Sequence, residues 1–347
     1  TNCFKQITDH LVAVCGNPDA LSLLQQREDH PSARVGLPRA GRSLHGKDGR
    51  VQRQGEALRG GEWLLVVEGE RCARLLSDPR QLDQPQKGVH PPGADASALE
   101  HLLGGEPTVP ADRGLFLPKT WRLHPEICAY TSELFYRGRL TAKEWLANQR
   151  VDGPDPFEGS GLRFVSVEHA GNRNHSPEEV EVVAGLVDGL VNGVGGGDDS
   201  GADDSTGAGR PVFARGSAAG IPPASWTDKD RASRPITLDD ILVVAPYNAQ
   251  VSALIEALPD GARVGTVDKF QGQEAPIVLY SIATSSAEEA PRGMEFLFSA
   301  NRLNVATSRA RCLAVLVGNP AVLAPICRAP RQMQLANAFC RFAEMAG

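Results

Sequence analysis

The chain has 347 residues, of which 41% are hydrophobic, so it can bury a sizeable core and has room for about two or three domains. Its net charge of −6 gives no basic field over the whole surface, which argues against a histone-like or tail-type nucleic-acid binder. No apolar run is long enough to span a bilayer and no secretory signal opens the chain, so we expect a cytoplasmic protein with no membrane partner.

The N-terminal stretch, residues 1–71, lacks a regular alternation of strand and helix patterns. Only short segments such as HLVAVC and EWLLVVE look ordered. We predict an unassigned, poorly ordered stretch here. The chain begins with Thr1, which we interpret as a fragment or a processed start.

One segment of this stretch imitates a phosphate-binding loop. Residues 41–48, GRSLHGKD, fit the GxxxxGK pattern, but Asp48 stands where a Ser or Thr should coordinate Mg²⁺. No strand clearly precedes the segment and no apolar helix follows it. We therefore predict that it is not a working nucleotide-binding loop.

The seven cysteines lie far apart, without CxxC or Cys/His metal spacing. We expect reduced thiols and predict no metal site. Cys128, Cys312 and Cys340 resemble core-facing small apolar residues.

From Leu75 onward the pattern becomes regular. Gly161–His169 is typical of a strand, and Ser176 then offers a hydroxyl cap for a helix with Pro177 in its first turn and Glu179 as the capping-box carboxylate. Residues 191–225 are rich in Gly, Asp and Ser, which indicates a flexible insert.

After the insert, apolar runs and helical patterns alternate to the C-terminus. Ile241–Pro246 is a continuous apolar run, as expected for a strand that is covered on both faces. The alternation predicts an α/β fold with a parallel sheet and helices on both faces. An amphipathic helix, with Met333 and Cys340 among its apolar residues, closes the chain.

Two polar segments adjoin these apolar runs: TVDKFQGQE at Thr266–Glu274 and NRLNVATSRAR at Asn301–Arg311. We expect both to lie at strand ends, where open α/β sheets bind phosphate ligands. The second segment places Arg302, Arg309 and Arg311 on one predicted helix. This chemistry suits a nucleoside triphosphate on one side and a nucleic-acid backbone on the other.

The two segments closely resemble motifs V and VI of superfamily 1 helicases of the 1B type, the group of the nonsense-mediated-decay and Okazaki-fragment helicases. Leu75–Gly105 resembles motif III with its following helix, and Leu115–Leu140 resembles the arginine-bearing motif that opens the second motor domain. The nearest likeness is to bacterial helicases fused to a RecB-like nuclease. The resemblance runs from about Arg74 to the C-terminus, apart from the insert.

The resemblance implies a RecA-like P-loop NTPase fold and a domain division. Residues 72–110 would be a remnant of the first RecA-like lobe. Residues 111–347 would form the second lobe, with the flexible insert at 191–225. The chain departs from the family at Ser77, where relatives usually have glycine, and at Trp121, where many have tyrosine.

By resemblance, three residues serve ATP hydrolysis. Arg309 corresponds to the arginine finger of motif VI, and Arg122 in WRLHP is its companion. A guanidinium stays charged and binds phosphate oxygens in a bidentate manner. Gln81 corresponds to the motif III glutamine that contacts the γ-phosphate. Without this resemblance, we would interpret Arg309 and Arg122 as members of surface ion pairs.

Three further residues complete the implied nucleotide site. Trp121 is placed to stack on adenine, although a core tryptophan is the alternative. Gly272 lets the backbone approach a ligand closely. Glu274 would bond the ribose hydroxyl or couple the nucleotide to the strand.

Four polar residues are candidates for contacts with a nucleic-acid backbone. Thr266 and Gln271 can donate hydrogen bonds to phosphate, and Asn248 and Gln250 follow a predicted buried strand. Such contacts position a strand without reading its sequence, as a translocating motor requires.

The resemblance implies an ATP-dependent 5′–3′ helicase that uses ATP with Mg²⁺ and binds single-stranded DNA or RNA. Walker A and Walker B motifs are not recognisable, so we expect the chain to be inactive alone and to need a first lobe. A separate chain that supplies this lobe is one expected partner, and a RecB-like nuclease is another. A nucleic-acid-binding or interaction module without ATPase activity and a decayed gene product remain alternatives.

Overall fold

The computed structural model describes residues 57–58, 62–66, 73–76, 103–104, 106, 108–110, 114–193, 222–270 and 272–346. The Gly41–Asp48 segment, Gln81 and Gln271 lie outside the described residues, as does most of Leu75–Gly105. The predictions made for them therefore remain predictions.

The chain divides into two units, Thr1–Ser77 and Asp78–Gly347. In the first unit, strands β1 (Ala57–Leu58), β2 (Glu62–Val66) and β3 (Ala73–Leu76) form an antiparallel sheet in the order β1-β2-β3. Strand β2 lies within the EWLLVVE segment that the sequence analysis predicted to be ordered, whereas HLVAVC lies outside the described residues.

The second unit is built from strands and helices that alternate along much of its length. Its strands are β4 (Lys119–Thr120), β5 (Thr141–Ala142), β6 (Arg150–Asp152), β7 (Gly161–Ser166), β8 (Ser225–Thr227), β9 (Ser233–Pro235), β10 (Ile241–Val244), β11 (Arg263–Gly265), β12 (Ala275–Ser281) and β13 (Ala310–Gly318). Its helices are α1 (Pro125–Tyr136), α2 (Pro177–Asn192), α3 (Asn248–Ala257), α4 (Gly293–Leu297), α5 (Ala300–Arg309) and α6 (Pro330–Ala346).

Five of these strands form one parallel sheet in the order β11-β10-β12-β13-β7. The predicted parallel sheet is confirmed. Because all five strands run in the same direction, their amino ends share one edge and their carboxyl ends share the other.

Alternate residues of the central strands face two different hydrophobic clusters. In β12, Val278 and Tyr280 belong to one cluster, whereas Ile277 and Leu279 belong to the other. The first cluster includes residues of α1, α5 and α6, and the second includes residues of α2 and α3. Both faces of the sheet are therefore covered, which explains why every residue of β10 and β12 is buried.

The start of α2 follows the predicted capping chemistry only in part. The Ser176 hydroxyl accepts a hydrogen bond from the backbone N–H of Glu179 at 3.2 Å. The Glu179 carboxylate, however, turns into the interior and contacts Ser281 and the backbone of Ala283 instead of closing the capping box. The predicted insert joins α2 to β8, and residues 194–221 of it are not described.

Three details differ from the sequence-based expectations. Arg311 lies on β13 rather than on the arginine helix, because α5 ends at Arg309. Met333 is 64% exposed, and Cys340 is only half-buried. Cys128 and Cys312 are buried as expected, and burial raises the pKa of the Cys312 thiol to about 12.

Within the part of the chain that the structure describes, no helix has both the length and the apolar character needed to cross a membrane.

Candidate functional site

The predicted nucleotide residues gather at the amino edge of the parallel sheet. Glu274 immediately precedes β12, and Arg309 immediately precedes β13. The first residues of these strands, Ala275 and Ala310, are paired partners in the sheet. Both residues thus lie at strand ends, as expected, but at the amino ends rather than at the carboxyl ends where open α/β sheets commonly bind ligands.

Arg122 joins this cluster from the loop before α1. Its Nε donates a hydrogen bond to a Glu274 carboxylate oxygen, and its Nη1 donates to the backbone carbonyl of Ser308 at 3.3 Å. The two charged side chains are 35% and 42% exposed, so their ion pair adds little net stability. The pair instead fixes the direction of the Arg122 guanidinium at this edge of the sheet.

Arg309 is the buried member of the cluster, with only 3% of its surface exposed. Its Nη1 donates a hydrogen bond to the carbonyl of Gln273 at 3.4 Å. Arg122 thus contacts Ser308 and Glu274, while Arg309 contacts the residue beside Glu274. The structure brings both predicted arginines into one cluster: Arg309 lies on the Asn301–Arg311 segment, and Arg122 reaches it from the loop before α1.

Gln149 holds the Arg122 loop against the sheet, and sequence analysis did not identify it. The Gln149 side-chain amide is buried and donates to the carbonyls of Arg122 and Arg311, each at 3.1 Å. The backbone N–H of His124 also donates to the Arg311 carbonyl, at 2.8 Å. Gln149 lies in no recognisable motif, so only its burial reveals this role.

Trp121, next to Arg122, lies in a cluster of aromatic and cationic side chains. Its ring centroid is 5.3 Å from that of Trp145, and the Lys143 amine lies 4.6 Å from the Trp121 ring. Trp145 is one of the more exposed large hydrophobic residues. This surface supplies the flat apolar area and the positive charge that a nucleotide base and its phosphates require.

Gly272 adopts a backbone conformation that suits its predicted role. Its φ angle is 83°, a region that L side chains rarely adopt. No described atom lies within 4 Å of the position that a Cβ would take. The backbone between the short helix Val267–Phe270 and β12 therefore has room beside it.

Two of the predicted strand-binding residues lie at the opposite, carboxyl edge of the sheet. Thr266 directly follows β11 and is half-buried. Asn248 is exposed at the first position of α3, shortly after β10. The sheet therefore separates these two residues from the arginine cluster by the length of its strands.

Gln250 occupies the interior instead of this surface. It has 0% exposure, and its amide oxygen accepts a hydrogen bond from the Ser176 backbone at 2.8 Å. Its amide nitrogen donates to the Ser281 hydroxyl at 2.9 Å. The prediction that Gln250 contacts a nucleic-acid backbone does not fit this burial, because its polar atoms face protein groups.

A buried polar network extends from Gln250 through Ser281 to Glu179. The Glu179 carboxylate accepts hydrogen bonds from the Ser281 hydroxyl at 2.6 Å and the Ala283 N–H at 2.8 Å. His169 Nε2 lies 2.9 Å from the same carboxylate, and both side chains are fully buried. This network ties the ends of β7 and β12 to the starts of α2 and α3.

The arginine cluster has the chemistry to bind phosphate groups but not to hold Mg²⁺ by itself. Two guanidiniums and one carboxylate meet at the amino edge, and guanidiniums bind phosphate oxygens strongly. Among the described residues, there is no group of three or more His, Cys, Asp or Glu side chains that could hold a metal ion. Ligands for Mg²⁺ would have to come from elsewhere.

Comparison with known proteins concerns the fold and the family resemblance of this part of the chain. Residues 226–321 match a protein-family model described as an AAA domain. This span contains Asn248, Thr266, Gly272, Glu274 and Arg309 but not Arg122. The parallel sheet with flanking helices and this match together show an α/β RecA-like fold.

Individual relatives are named as helicases or regulators of nonsense transcripts. The chain is 28% identical to a regulator of nonsense transcripts 1 homolog from Neurospora crassa over 74% of this chain and 21% of that protein. It is 25% identical to helicase sen1 of Schizosaccharomyces pombe over 72% of this chain and 13% of that protein. It is 38% identical to the probable RNA helicase armi of Drosophila melanogaster over 26% of this chain and 8% of that protein.

The chain thus spans at most about a fifth of the length of these relatives. The similarities support a C-terminal helicase domain of superfamily 1.

Proposed function

We propose that this chain supplies the second motor lobe of an ATP-dependent 5′–3′ helicase or translocase that acts on single-stranded DNA or RNA. The observation that carries the proposal is the cluster of Arg122, Glu274 and Arg309 at the amino edge of β12 and β13. Two guanidiniums converge there, on segments whose sequences resemble helicase motifs.

The two arginines would act on the nucleotide from across a cleft between lobes. A first lobe would supply the phosphate-binding loop and the Mg²⁺ ligands, and ATP would supply the phosphoryl group whose transfer to water drives the motor. Arg309, fixed by burial and by the Gln273 carbonyl, would stabilise negative charge that develops on that group. Arg122 would bind a phosphate group of the nucleotide, either after leaving Glu274 or while it still contacts that carboxylate. Trp121 would contact the base.

The carboxyl edge would hold the nucleic-acid strand. Thr266 and Asn248 present a hydroxyl and an amide there, and such groups bond phosphate oxygens without reading sequence. Nucleotide and nucleic-acid strand would then contact opposite edges of one rigid sheet. A movement of the sheet on ATP hydrolysis would therefore also move the groups that bind the strand.

The proposal includes dependence on a first lobe. Hydrolysis needs a Mg²⁺-holding hydroxyl and a Walker B carboxylate, and the sequence has no recognisable motif for either. The first lobe could belong to the same polypeptide or to a separate chain, and a RecB-like nuclease is a further partner suggested by resemblance. The absence of recognisable Walker A and Walker B motifs also favours the alternative function, a nucleic-acid-binding module without ATP turnover.

Fusion to an intact first lobe tests the proposal. We expect the chain alone to show no ATP turnover above background, because its sequence has no recognisable Walker A or Walker B motif. Joined to the first lobe of a relative such as the Neurospora crassa protein, Asp78–Gly347 should hydrolyse ATP, and a single-stranded oligonucleotide should stimulate the rate. Turnover is measured by phosphate release with and without the oligonucleotide.

Two results would contradict parts of this account. A folded fusion that binds ATP but never hydrolyses it would favour the binding module. Turnover by the chain alone that disappears in Lys47→Ala would show that the Gly41–Asp48 segment binds nucleotide after all. Circular dichroism of each protein establishes that the comparison is made between folded molecules.

A further inference from the structure

Two arginines pack against one phenylalanine near the carboxyl edge of the sheet. The guanidinium carbon of Arg292 lies 3.8 Å from the centre of the Phe296 ring, and that of Arg302 lies 4.1 Å from it. Arg292 is exposed just before α4, whereas Arg302 is half-buried in the first turn of α5. Attraction to the ring restrains both cations, which lowers the entropy that each would lose on binding an anion.

The position of this arginine pair follows from the packing of Phe296 against Tyr247. The ring centroids of Phe296 and Tyr247 are 5.5 Å apart. Tyr247 follows β10 and directly precedes the exposed Asn248. Burial raises the pKa of Tyr247, and Thr284 and the positive charges of Arg292 and Arg302 oppose that rise. The arginine pair therefore adjoins the proposed strand-binding edge.

Within the described part of the chain, neither arginine of the pair forms a salt bridge with a carboxylate. Among the described residues, no carboxylate lies within 4 Å of the guanidinium of Arg292 or Arg302, although Glu295 is close in sequence. Arg341, in contrast, is paired with both Glu133 and Glu344. Two like charges on one ring repel each other, so an anion that binds between them would relieve the repulsion.

We propose that Arg292 and Arg302, held by Phe296, bind phosphates of single-stranded nucleic acid at the carboxyl edge of the sheet. This inference rests on the proposed function, since it extends the strand path from Thr266 and Asn248 to α4 and α5. A restrained guanidinium binds a phosphate in a bidentate manner and without regard to the base. The contact therefore suits a translocating lobe that must bind any sequence.

Arg292→Ala tests the proposal, with Arg331→Ala as the matched control. Both arginines are exposed, and Arg331 lies in the first turn of α6. Among the described residues, the cations over the Phe296 ring are Arg292 and Arg302, not Arg331. Binding of the full chain to fluorescent dT20 and rU20 is measured by anisotropy between about 50 and 200 mM salt. We expect Arg292→Ala to weaken binding about fivefold and to make the salt slope shallower by about 0.7, because one phosphate is no longer neutralised. Arg331→Ala should change neither the affinity for the oligonucleotides nor the salt slope.

The outcomes separate this inference from the proposed function. If the unaltered chain binds both oligonucleotides but Arg292→Ala behaves like Arg331→Ala, the inference is wrong and strand binding stands. Weakened binding with an unchanged salt slope would also overturn it, because the number of neutralised phosphates would then be the same. If the unaltered chain binds neither oligonucleotide, the strand-binding half of the proposed function fails together with this inference.

A second variant distinguishes the loss of the Arg292 charge from a change in the local packing around Phe296. Phe296→Leu keeps both arginines but removes the ring that restrains them, so we expect it to weaken oligonucleotide binding less than Arg292→Ala while the salt slope stays closer to that of the unaltered chain. If Arg292→Ala instead weakens binding only to a polyglutamate peptide and leaves oligonucleotide binding intact, the occupant of this surface is an acidic protein and the proposal is refuted.

Discussion

Arg309→Ala in the fused protein should lower ATP turnover by a factor of about 10³–10⁵, the range for arginine fingers in GTPases. The reason is that the guanidinium stabilises charge that develops on the transferring phosphoryl group only in the transition state. The structure holds this side chain at the end of α5, buried and bonded to the Gln273 carbonyl. Single-turnover phosphate release at saturating ATP measures the loss.

Arg309→Lys separates geometry from charge. A lysine ammonium cannot reproduce the planar fork of a guanidinium, so we expect it to restore little of the rate. Because Arg309 is buried, the affinity for ADP and the thermal unfolding of each variant are measured in parallel. A variant that folds, binds ADP normally and still hydrolyses ATP within about tenfold of the parent rate would exclude Arg309 as the finger.

Glu179→Ala should lower the free energy of unfolding by about 3–5 kcal/mol, as expected when one partner of a buried polar pair is removed. The substitution leaves the Ser281 hydroxyl, the Ala283 N–H and His169 without the carboxylate that they contact. Each buried group that loses its partner costs about 1–3 kcal/mol. Urea denaturation of the full chain measures the change.

Glu181→Ala is the matched control for this prediction. Glu181 lies two residues along the same helix but is exposed, so its removal should change stability by no more than about 0.5 kcal/mol. Equal stability of the two variants would show that the Glu179 network is not a structural tie between the sheet and the starts of α2 and α3.

Several features of the fold were predictable because they depend on local chemistry. Continuous apolar runs such as Ile241–Val244 indicated strands covered on both faces, and Ser176 marked the start of α2. The gathering of Arg122 and Glu274 was foreseen only through resemblance, because 152 positions separate them in the chain. No periodicity or spacing connects residues that far apart.

Other features depended on burial, which a single sequence does not reveal. Gln250 and Asn248 are two positions apart on α3, yet one is buried and the other exposed, because their side chains point to different sides of a helix. Gln149 resembles an ordinary polar residue until its contacts with the Arg122 and Arg311 carbonyls are known. The position of Glu274 and Arg309 before their strands was not predictable from the sequence, because the general rule for open α/β sheets places ligands at the carboxyl ends of the strands.

The central claim is that opposite edges of one sheet divide nucleotide chemistry from strand binding. The most direct test measures ATP turnover and oligonucleotide affinity together for Arg309→Ala and Thr266→Ala in the same fused protein. We predict that Arg309→Ala abolishes most turnover but retains strand affinity, whereas Thr266→Ala weakens strand affinity and leaves basal turnover largely intact. Parallel loss of both activities in both variants would contradict the division, because it would indicate one undivided site or a misfolded lobe.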